Sequence, residues 1–256
     1  MPALRHADGP RRASLPPLEL DPAARRALLR DAELEVLGRM PWSSNATLLA
    51  VARDGDREAQ VIYKPRRGER PLWDFPTGTL CQREVATYEL SALLGWSLVP
   101  ETVLRDGPFG VGMVQEFVDH DPDDHYFTLL EDHADVFRRF AVFDVLANNA
   151  DRKGGHCLQR LDDGVILGID HGLTFHPAWK LRTVIWEFGG EPIPPALADD
   201  VCRVVDPGNE EVEARLGGLL SPLELEALRA RADDLLRSGK LPNPDPGYHS
   251  LPWPLV

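Results

Sequence analysis

A single turn in the second half of the chain does most to limit how this sequence can fold. Asp163-Gly164 is a dipeptide typical of tight β-hairpins, and strand-like apolar runs flank it on both sides. Antiparallel strands pair symmetrically about their turn, so the hairpin would place His156 opposite Asp170 or His171. The sequence therefore predicts that an imidazole and a carboxylate meet at the open end of a hairpin.

Asp151 lies on the loop that leads into this hairpin, so it would add a second carboxylate to the same end. Carboxylates gathered with an imidazole suit a cation-assisted phosphoryl transfer, because hard divalent cations prefer oxygen ligands. The alternative for the same residues is a polar turn with solvated acids. The order of the other parts of the chain favours the first interpretation.

Composition narrows the class of protein. The chain has 256 residues, enough for one large domain or two smaller lobes with a packed core. Its formal net charge of −13 argues against a general nucleic-acid-binding role. No apolar run approaches the roughly 18 residues of a membrane span, and the N-terminal residues lack the apolar core of a secretory signal. With three scattered cysteines, we expect a cytoplasmic protein without integral membrane association.

A phosphate-binding loop is predicted near the N-terminus. Ser43, Ser44 and Asn45 lie between two strand-like runs, where backbone N–H groups and hydroxyls can hold phosphate oxygens. The alternative is an ordinary surface turn. The turn Asp54-Gly55-Asp56 is predicted to join the second and third strand-like runs as a hairpin. Lys64 ends the third run, and a lysine in that place can pair with the α- and β-phosphates of a nucleotide. Lysines at strand ends are also commonly solvated, which is the alternative here.

A helix is predicted over Thr79–Leu94 from apolar residues at three- and four-residue spacing. It carries Glu84 and Glu89, either of which could hold Lys64 through an ion pair, although helix glutamates mostly face solvent. Two more strands follow, and then an acidic, proline-containing stretch at residues 119–125 reads as a linker.

The pattern after this linker is mainly helical. Residues 129–147 form a predicted buried helix that leads to Asp151. Ser221-Pro222-Leu223-Glu224 is a capping box that opens another helix, which we expect to reach Arg237 and to end at Gly239.

Taken in order, the chain therefore presents a phosphate loop, a strand lysine, a helix glutamate, a linker, a buried helix, an acidic loop, a hairpin and Asp-x-Gly. In this order the chain resembles the atypical kinases of the phosphatidylinositol 3-/4-kinase and HipA-like group, over roughly residues 33–235. The most specific segments are DRKGGH at 151–156 and IDHG at 169–172, where the lipid kinases carry D-R-H-x-x-N and I-D-F-G. Through WSSNAT, REVATYELSALLGW, NNADRKGGH and IDHGLTFH the chain is also similar to a family of small bacterial phosphatidylinositol-kinase-like proteins of unassigned substrate.

The resemblance implies an α+β fold of the two-lobed protein-kinase-like type, as in phosphatidylinositol-kinase/HipA-like atypical kinases. We expect a disordered tail at 1–17 and an N-lobe at 18–118 with an antiparallel sheet plus a helix. The C-lobe, 119–256, would be mainly helical and would carry the catalytic loop and the hairpin.

The same resemblance implies roles for individual residues. Asp151 would be the catalytic base or would orient the substrate, and Asp170 would hold Mg²⁺ against the phosphates of ATP. Lys64 would contact the phosphates, with Glu84 as its ion-pair partner. Two further groups would contact the nucleotide: Ser43, Ser44 and Asn45 over the phosphates, and the backbone of Gln115, Glu116 and Phe117 at the adenine.

Three positions depart from the lipid-kinase pattern. His171 replaces the phenylalanine of Asp-Phe-Gly, which loses the aromatic packing but keeps the carboxylate of Asp170. His156 replaces the metal-binding asparagine, and an imidazole is a poorer ligand for Mg²⁺ than an oxygen. The alternatives are that Asn148 or Asn149 substitutes, that His156 binds phosphate, or that Mn²⁺ is the working metal. Lys153 replaces the loop histidine and could neutralise the γ-phosphate. These departures favour ATP binding over catalysis.

Two functional hypotheses follow. The first is an ATP-dependent phosphotransferase acting on a protein side chain or a small hydroxyl compound; inositol lipid is disfavoured because the chain is acidic and lacks a basic amphipathic surface. The second is a nucleotide-binding pseudokinase that serves as a regulatory module for protein interactions. A metal-dependent hydrolase ranks last, since no compact histidine motif is present.

Overall fold

A computed structural model gives the structure of residues 21–40, 45–206 and 208–256. The predicted tail, 1–17, and the loop residues Ser43 and Ser44 lie outside the described residues. Contacts divide the chain into two compact units. The first takes in the described residues up to Val85 together with Pro100–Asp119, and the second takes in Ala86–Val99 and His120–Val256.

The first unit is built on a five-stranded antiparallel sheet. Its strands, β1 (Glu33–Arg39), β2 (Leu48–Asp54), β3 (Arg57–Pro65), β4 (Thr102–Gly107) and β5 (Gly110–Glu116), lie in the order β1-β2-β3-β5-β4. Apolar side chains of the sheet pack against helix α1 (Pro22–Asp31), which Asp21 caps by accepting a hydrogen bond from the N–H of Ala24. The strand β3, which carries Lys64, is the middle strand of this sheet.

The predicted Asp-Gly-Asp hairpin is confirmed between β2 and β3. Asp54 pairs with Arg57 across the turn, and Gly55 takes the left-handed conformation (φ 61°) that such a turn requires. Lys64 pairs with Met113 on the other side of β3. Gly112 is needed beside this pair because a Cβ there would lie 2.5 Å from the carbonyl oxygen of Lys64.

The helix predicted at 79–94 is observed as α2, Leu80–Leu94. Its first N–H groups donate to the carboxylate of Glu69, from Leu80 at 3.2 Å and from Cys81 at 2.8 Å. Residues of α2 up to Val85 belong to the first unit, and those from Ala86 onward belong to the second.

The second unit is mainly helical around one large apolar core. Its elements are α3 (Tyr126–Leu129), α4 (Ala134–Ala147), β6 (Cys157–Gln159), β7 (Ile166–Gly168), α5 (Pro195–Val205), α6 (Glu210–Leu216) and α7 (Pro222–Ser238). Helix α7 begins with the predicted capping box and ends at Gly239 in the left-handed conformation, as expected from the sequence.

The helix expected at 129–147 begins later than predicted. It is observed as α4, which starts at Ala134, because residues 130–132 form a turn after the short helix α3. The sequence patterns do not predict α3, α5 and α6. Within the described part of the chain, none of the helices has the length and apolarity to cross a membrane.

Candidate active site

The predicted lysine–glutamate pair forms within the first unit. Lys64 Nζ lies 2.6 Å from Glu84 Oε1, and the side chains are only 17% and 2% exposed. A buried carboxylate needs a charged partner, so the pair fixes the lysine on the middle strand of the sheet. Glu89, the other candidate on α2, instead lies 2.6 Å from Arg215 within the second unit.

Asn45 holds the start of the β2 segment against the residues that follow β3. Its Oδ1 accepts a hydrogen bond from the N–H of Arg70 at 2.9 Å, and its backbone carbonyl accepts one from Thr47 at 2.9 Å. Nearby, Ala46 donates to the carbonyl of Gly68 at 3.1 Å, an approach in which a Cβ on Gly68 would collide with Ala46. The loop is therefore supported at its described end.

The residues expected at the adenine are tightly integrated in the sheet. Gln115 is buried and donates from Nε2 to Thr102 at 2.8 Å. The N–H of Glu116 donates to the carbonyl of Glu101 at 2.9 Å, and that of Phe117 donates to Gln60 at 3.1 Å. These N–H donors are engaged by the sheet, so adenine contacts here would fall to carbonyl groups.

In the second unit, hydrogen bonds at the end of α4 fix the position of the loop that carries Asp151. Asn148 ends α4 in the left-handed conformation (φ 49°), and its amide makes three hydrogen bonds of 2.8 Å to backbone groups of residues 176–180. Asn149 donates to Asp144 and accepts from the N–H of Asp151, both at 3.0 Å. Both amides are buried and structural, which argues against either asparagine as a metal ligand.

A buried ion pair lies beneath this loop. Arg152 donates to both carboxylate oxygens of Asp144, at 2.9 to 3.2 Å, and both residues are fully buried. Thr183 adds a hydrogen bond to Asp144 at 3.1 Å, and the guanidinium lies 5.2 Å from the centre of the Phe140 ring. Sequence reasoning missed this pair, although Asp144 as a lone charge in the apolar run FAVFDVLA was a usable signal.

Asp151 and Lys153 form a second, more accessible pair. Lys153 Nζ donates to Asp151 Oδ2 at 2.9 Å, and the side chains are 20% and 25% exposed. Burial raises the pKa of Asp151 above its usual value, and the charge of Asp170 acts in the same direction, while Lys153 and Arg182 oppose the rise. A carboxylate with a raised pKa is a stronger proton acceptor than an exposed one.

The hairpin brings His156 to Asp170, as predicted, but by a different register. His156 Nε2 lies 3.5 Å from Asp170 Oδ2. The strand register, with Cys157 opposite Gly168, puts His156 opposite Ile169 rather than opposite 170 or 171. The turn is longer than expected: Arg160 donates to Val165 at 2.9 Å, which leaves four residues between them.

The backbone at the end of the hairpin is unusual. Asp170 takes the left-handed conformation with φ 59°, which costs free energy for a residue other than glycine. His171, expected at the open end, is instead fully buried, with its ring edge-on to Phe143 at 6.3 Å and its Nε2 2.7 Å from Arg152.

The loop between Lys153 and His156 is covered by the last residues of the chain. Gly154 donates to the carbonyl of Leu255 at 2.6 Å, and a Cβ on Gly154 would lie 3.1 Å from the ring of Phe127. Val256 lies beside Gly155. Leu255 and Val256 are not among the site residues that the sequence predicts.

Comparison with known proteins places this arrangement in a family. The family model described as phosphatidylinositol 3- and 4-kinase matches residues 91–219, which include the loop, the hairpin and Asp170. The chain belongs to the phosphatidylinositol 3- and 4-kinase family. Protein Rv2133c of Mycobacterium tuberculosis (strain ATCC 25618 / H37Rv) is 42% identical over 263 residues, covering 89% of this chain and 94% of that protein.

Solved structures confirm a kinase-like fold of the atypical type for this family member. The Golgi casein kinase, crystallised with Mn and ADP bound, has a TM-score of 0.55 at 12% identity, covering 84% of this chain and 74% of that one. Hydra Fam20, solved with sugar, has a TM-score of 0.55 at 14% identity, covering 82% and 86%. At such identities the likeness shows the fold alone.

The candidate site offers few side chains that could bind a metal ion. Among the residues that the structure describes, no three His, Cys, Asp or Glu side chains are grouped so that they could hold a metal ion. Asp170, 49% exposed, is an oxygen donor that solvent reaches. Mg²⁺ in nucleotide sites is commonly held by one or two carboxylates plus phosphate oxygens, so this donor set fits a cation that arrives with a nucleotide.

Proposed function

We propose that the protein is an ATP-dependent phosphotransferase that uses Mg–ATP and transfers phosphate to a protein side chain or a small hydroxyl compound. The observation that carries the proposal is the cluster of two contacts at the mouth of the hairpin, Lys153 with Asp151 and His156 with Asp170, in which the charge of Asp170 acts on Asp151. Phosphoryl transfer depends mainly on positioning and on cationic stabilisation of the charge that spreads over the phosphate oxygens. The residue types in this cluster supply both.

Asp151 is the proposed base. Its carboxylate would take the proton of the acceptor hydroxyl as that oxygen forms a bond to the γ-phosphorus. The bond from the γ-phosphorus to the β–γ bridging oxygen breaks, and ADP leaves with the electron pair. Lys153, held 2.9 Å from Asp151, would face the oxygens of the transferred group.

Asp170 is the proposed metal ligand, with His156 beside it. A bound divalent cation would neutralise charge on the phosphates. His156 receives a long hydrogen bond of 3.5 Å from the N–H of Lys153 at its Nδ1. This contact favours a proton on Nε2, the atom that faces Asp170, and so favours His156 as a donor to phosphate or carboxylate. Mn²⁺, which accepts imidazole more readily, is the alternative metal.

The first unit would supply the nucleotide contacts that the family resemblance implies. Lys64, fixed by Glu84, would contact the α- and β-phosphates. Ser43, Ser44 and Asn45 would cover the phosphates. The carbonyl groups of Gln115, Glu116 and Phe117 would read the adenine. The same resemblance supports the division into an N-lobe at 18–118 and a C-lobe at 119–256.

Calorimetric titration with a non-hydrolysable ATP analogue, with Mg²⁺, with Mn²⁺ and with neither, tests the proposal. We expect metal-dependent binding that Asp170→Asn abolishes. Asp163→Asn is the matched control, because it removes an exposed carboxylate from the tip of the same hairpin. Unchanged metal-dependent affinity in Asp170→Asn would overturn the metal assignment.

Turnover separates Asp151 from the binding residues. In Asp151→Ala we expect nearly unchanged affinity for the ATP analogue and loss of ATP turnover, measured as ADP release in the presence of candidate hydroxyl acceptors. Turnover at the wild-type rate would require a different base.

The second candidate function is a nucleotide-binding pseudokinase that acts through protein contacts. The observation that favours it is His156, which stands where the lipid kinases place an asparagine and whose ring nitrogen toward Asp170 is set up as a donor. Nucleotide binding without turnover toward any acceptor, in a protein whose Asp151 is intact, would select this candidate.

A further inference from the structure

The histidine of Asp-His-Gly makes a hydrogen bond that the phenylalanine of Asp-Phe-Gly could not make. His171 is fully buried, and its Nε2 lies 2.7 Å from a terminal guanidinium nitrogen of Arg152. An arginine side chain can only donate hydrogen bonds, so Nε2 must accept. The neutral imidazole of His171 therefore carries its proton on Nδ1.

Arg152 connects the parts that carry the candidate site. Its guanidinium also binds Asp144 on α4 and approaches the carbonyl oxygen of His156 at 3.4 Å. Its backbone N–H donates to Arg182, and its carbonyl accepts from Val184, both at 3.0 Å. One buried side chain thus touches α4, the 151–156 loop and Asp-His-Gly.

Position 168, on strand β7, has to be glycine because it lies against the contact between Arg152 and His171. A Cβ at that position would lie 2.7 Å from the Phe140 ring, 3.1 Å from Arg152 Nη1 and 3.2 Å from His171 Nε2. Two residues further on, Asp170 holds its left-handed backbone with φ 59°. Such a conformation persists only where the surroundings enforce it.

We propose that Arg152 and His171 form a positioning pair that fixes Asp170 relative to Asp151 and His156. His171 directly follows Asp170 in the sequence, and Arg152 directly follows Asp151. The hydrogen bond between Arg152 and His171 therefore links the two segments that carry the carboxylates on which the proposed function depends. The catalytic consequence of the pair rests on that proposed function, whereas the contact itself does not.

The first test is the tautomer of His171, measured by ¹⁵N nuclear magnetic resonance of the full chain. The His171→Gln spectrum identifies the signal by its disappearance. We expect a neutral ring protonated on Nδ1, as the contact with Arg152 requires. A proton on Nε2, in either a neutral or a charged ring, would overturn the pair.

The second test compares His171→Phe with His171→Gln by amide hydrogen exchange at 151–156 and 169–172, without ligand. Phenylalanine restores the lipid-kinase residue but removes the acceptor, whereas glutamine places an oxygen the same number of bonds from Cα as Nε2. We expect faster exchange in both segments for the phenylalanine variant and near-wild-type exchange for glutamine. Equal exchange in wild type and His171→Phe would overturn the proposal.

The third test links the pair to ligand binding. A hydrogen bond to a charged group contributes enough that we expect roughly tenfold to hundredfold weaker metal-dependent binding of the ATP analogue in His171→Phe. His171→Gln should recover most of this affinity, and His249→Phe, at an exposed histidine, should not change it. Affinity equal to wild type in His171→Phe would contradict the positioning role.

These measurements distinguish failure of the proposed function from failure of the Arg152–His171 pair. If the wild-type protein binds no nucleotide with either metal, the proposed function fails. The tautomer and the exchange rates then still decide for or against the Arg152–His171 pair.

Discussion

Replacement of Asp144 by alanine tests how much the buried ion pair beneath the candidate site stabilises the fold. Asp144 is fully buried and accepts hydrogen bonds from Arg152, Asn149 and Thr183. Alanine removes every one of these acceptors. Arg152 is itself fully buried, so its charge would lose its carboxylate partner in an environment of low dielectric.

The size of the effect follows from this burial. Breaking a buried pair by removing one partner costs about 3–5 kcal/mol, because the remaining charge is uncompensated. For a chain of this size, that corresponds to a fall of roughly 6–20 °C in the midpoint of thermal unfolding. Since whole domains are stable by only about 5–15 kcal/mol, the loss is a large fraction of the total.

The assay is thermal unfolding followed by circular dichroism, with Asp234→Ala as the control. Asp234 pairs with Arg237 at 2.7 Å on the surface of α7, where the side chains are 73% and 74% exposed. Such exposed pairs contribute at most about 1 kcal/mol. If Asp144→Ala unfolds at the same temperature as Asp234→Ala, the buried pair contributes no more stability than an exposed one, contrary to this prediction.

Three more predictions concern packing, capping and thiols. Gly168→Ala should lower stability by about 1–3 kcal/mol through overpacking, whereas Gly218→Ala, with no atom within 4 Å of its Cβ, should not; thermal unfolding of both measures the difference. Ser221→Ala should cost about 1 kcal/mol in chemical denaturation, because the N-cap of α7 is lost. Burial raises the pKa of Cys157 to about 12, so alkylation at pH 8 should label the exposed Cys202 and leave Cys157 unmodified until the chain unfolds, as mass spectrometry would show.

Local patterns in the sequence predicted the elements of the first unit well. The turn at Gly55 and the apolar spacing of α2 are signals carried by neighbouring residues, and both elements are observed. The hairpin before Asp170 forms as predicted, but its predicted register is wrong. The prediction centres a tight turn on Asp163-Gly164, whereas Gly164 ends a four-residue turn with φ 71°.

Long-range partners could not be read in the same way. Spacing alone allowed either Glu84 or Glu89 to meet Lys64, and only the folded chain gives one to Lys64 and the other to Arg215. The burial of Arg152 could not be predicted from the sequence for a similar reason. Arg152 lies beside Asp151 in sequence, where an exposed loop arginine is expected, and its burial depends on helix α4 passing beneath the loop.

The different roles of exposed and buried charges give a reason for the buried Arg152–Asp144 ion pair in the second unit, although burying two charges costs free energy. Under the proposed function, Asp151 and Asp170 have to stay accessible to a nucleotide and an acceptor, so they could not be fixed by burying them. Preorganised charges stabilise a transition state only if they do not have to move when the reaction occurs. The rigidity must therefore come from the neighbouring residue in each case. Arg152 and His171, both fully buried, are those neighbours, and their 2.7 Å contact joins the two carboxylate-bearing segments from beneath.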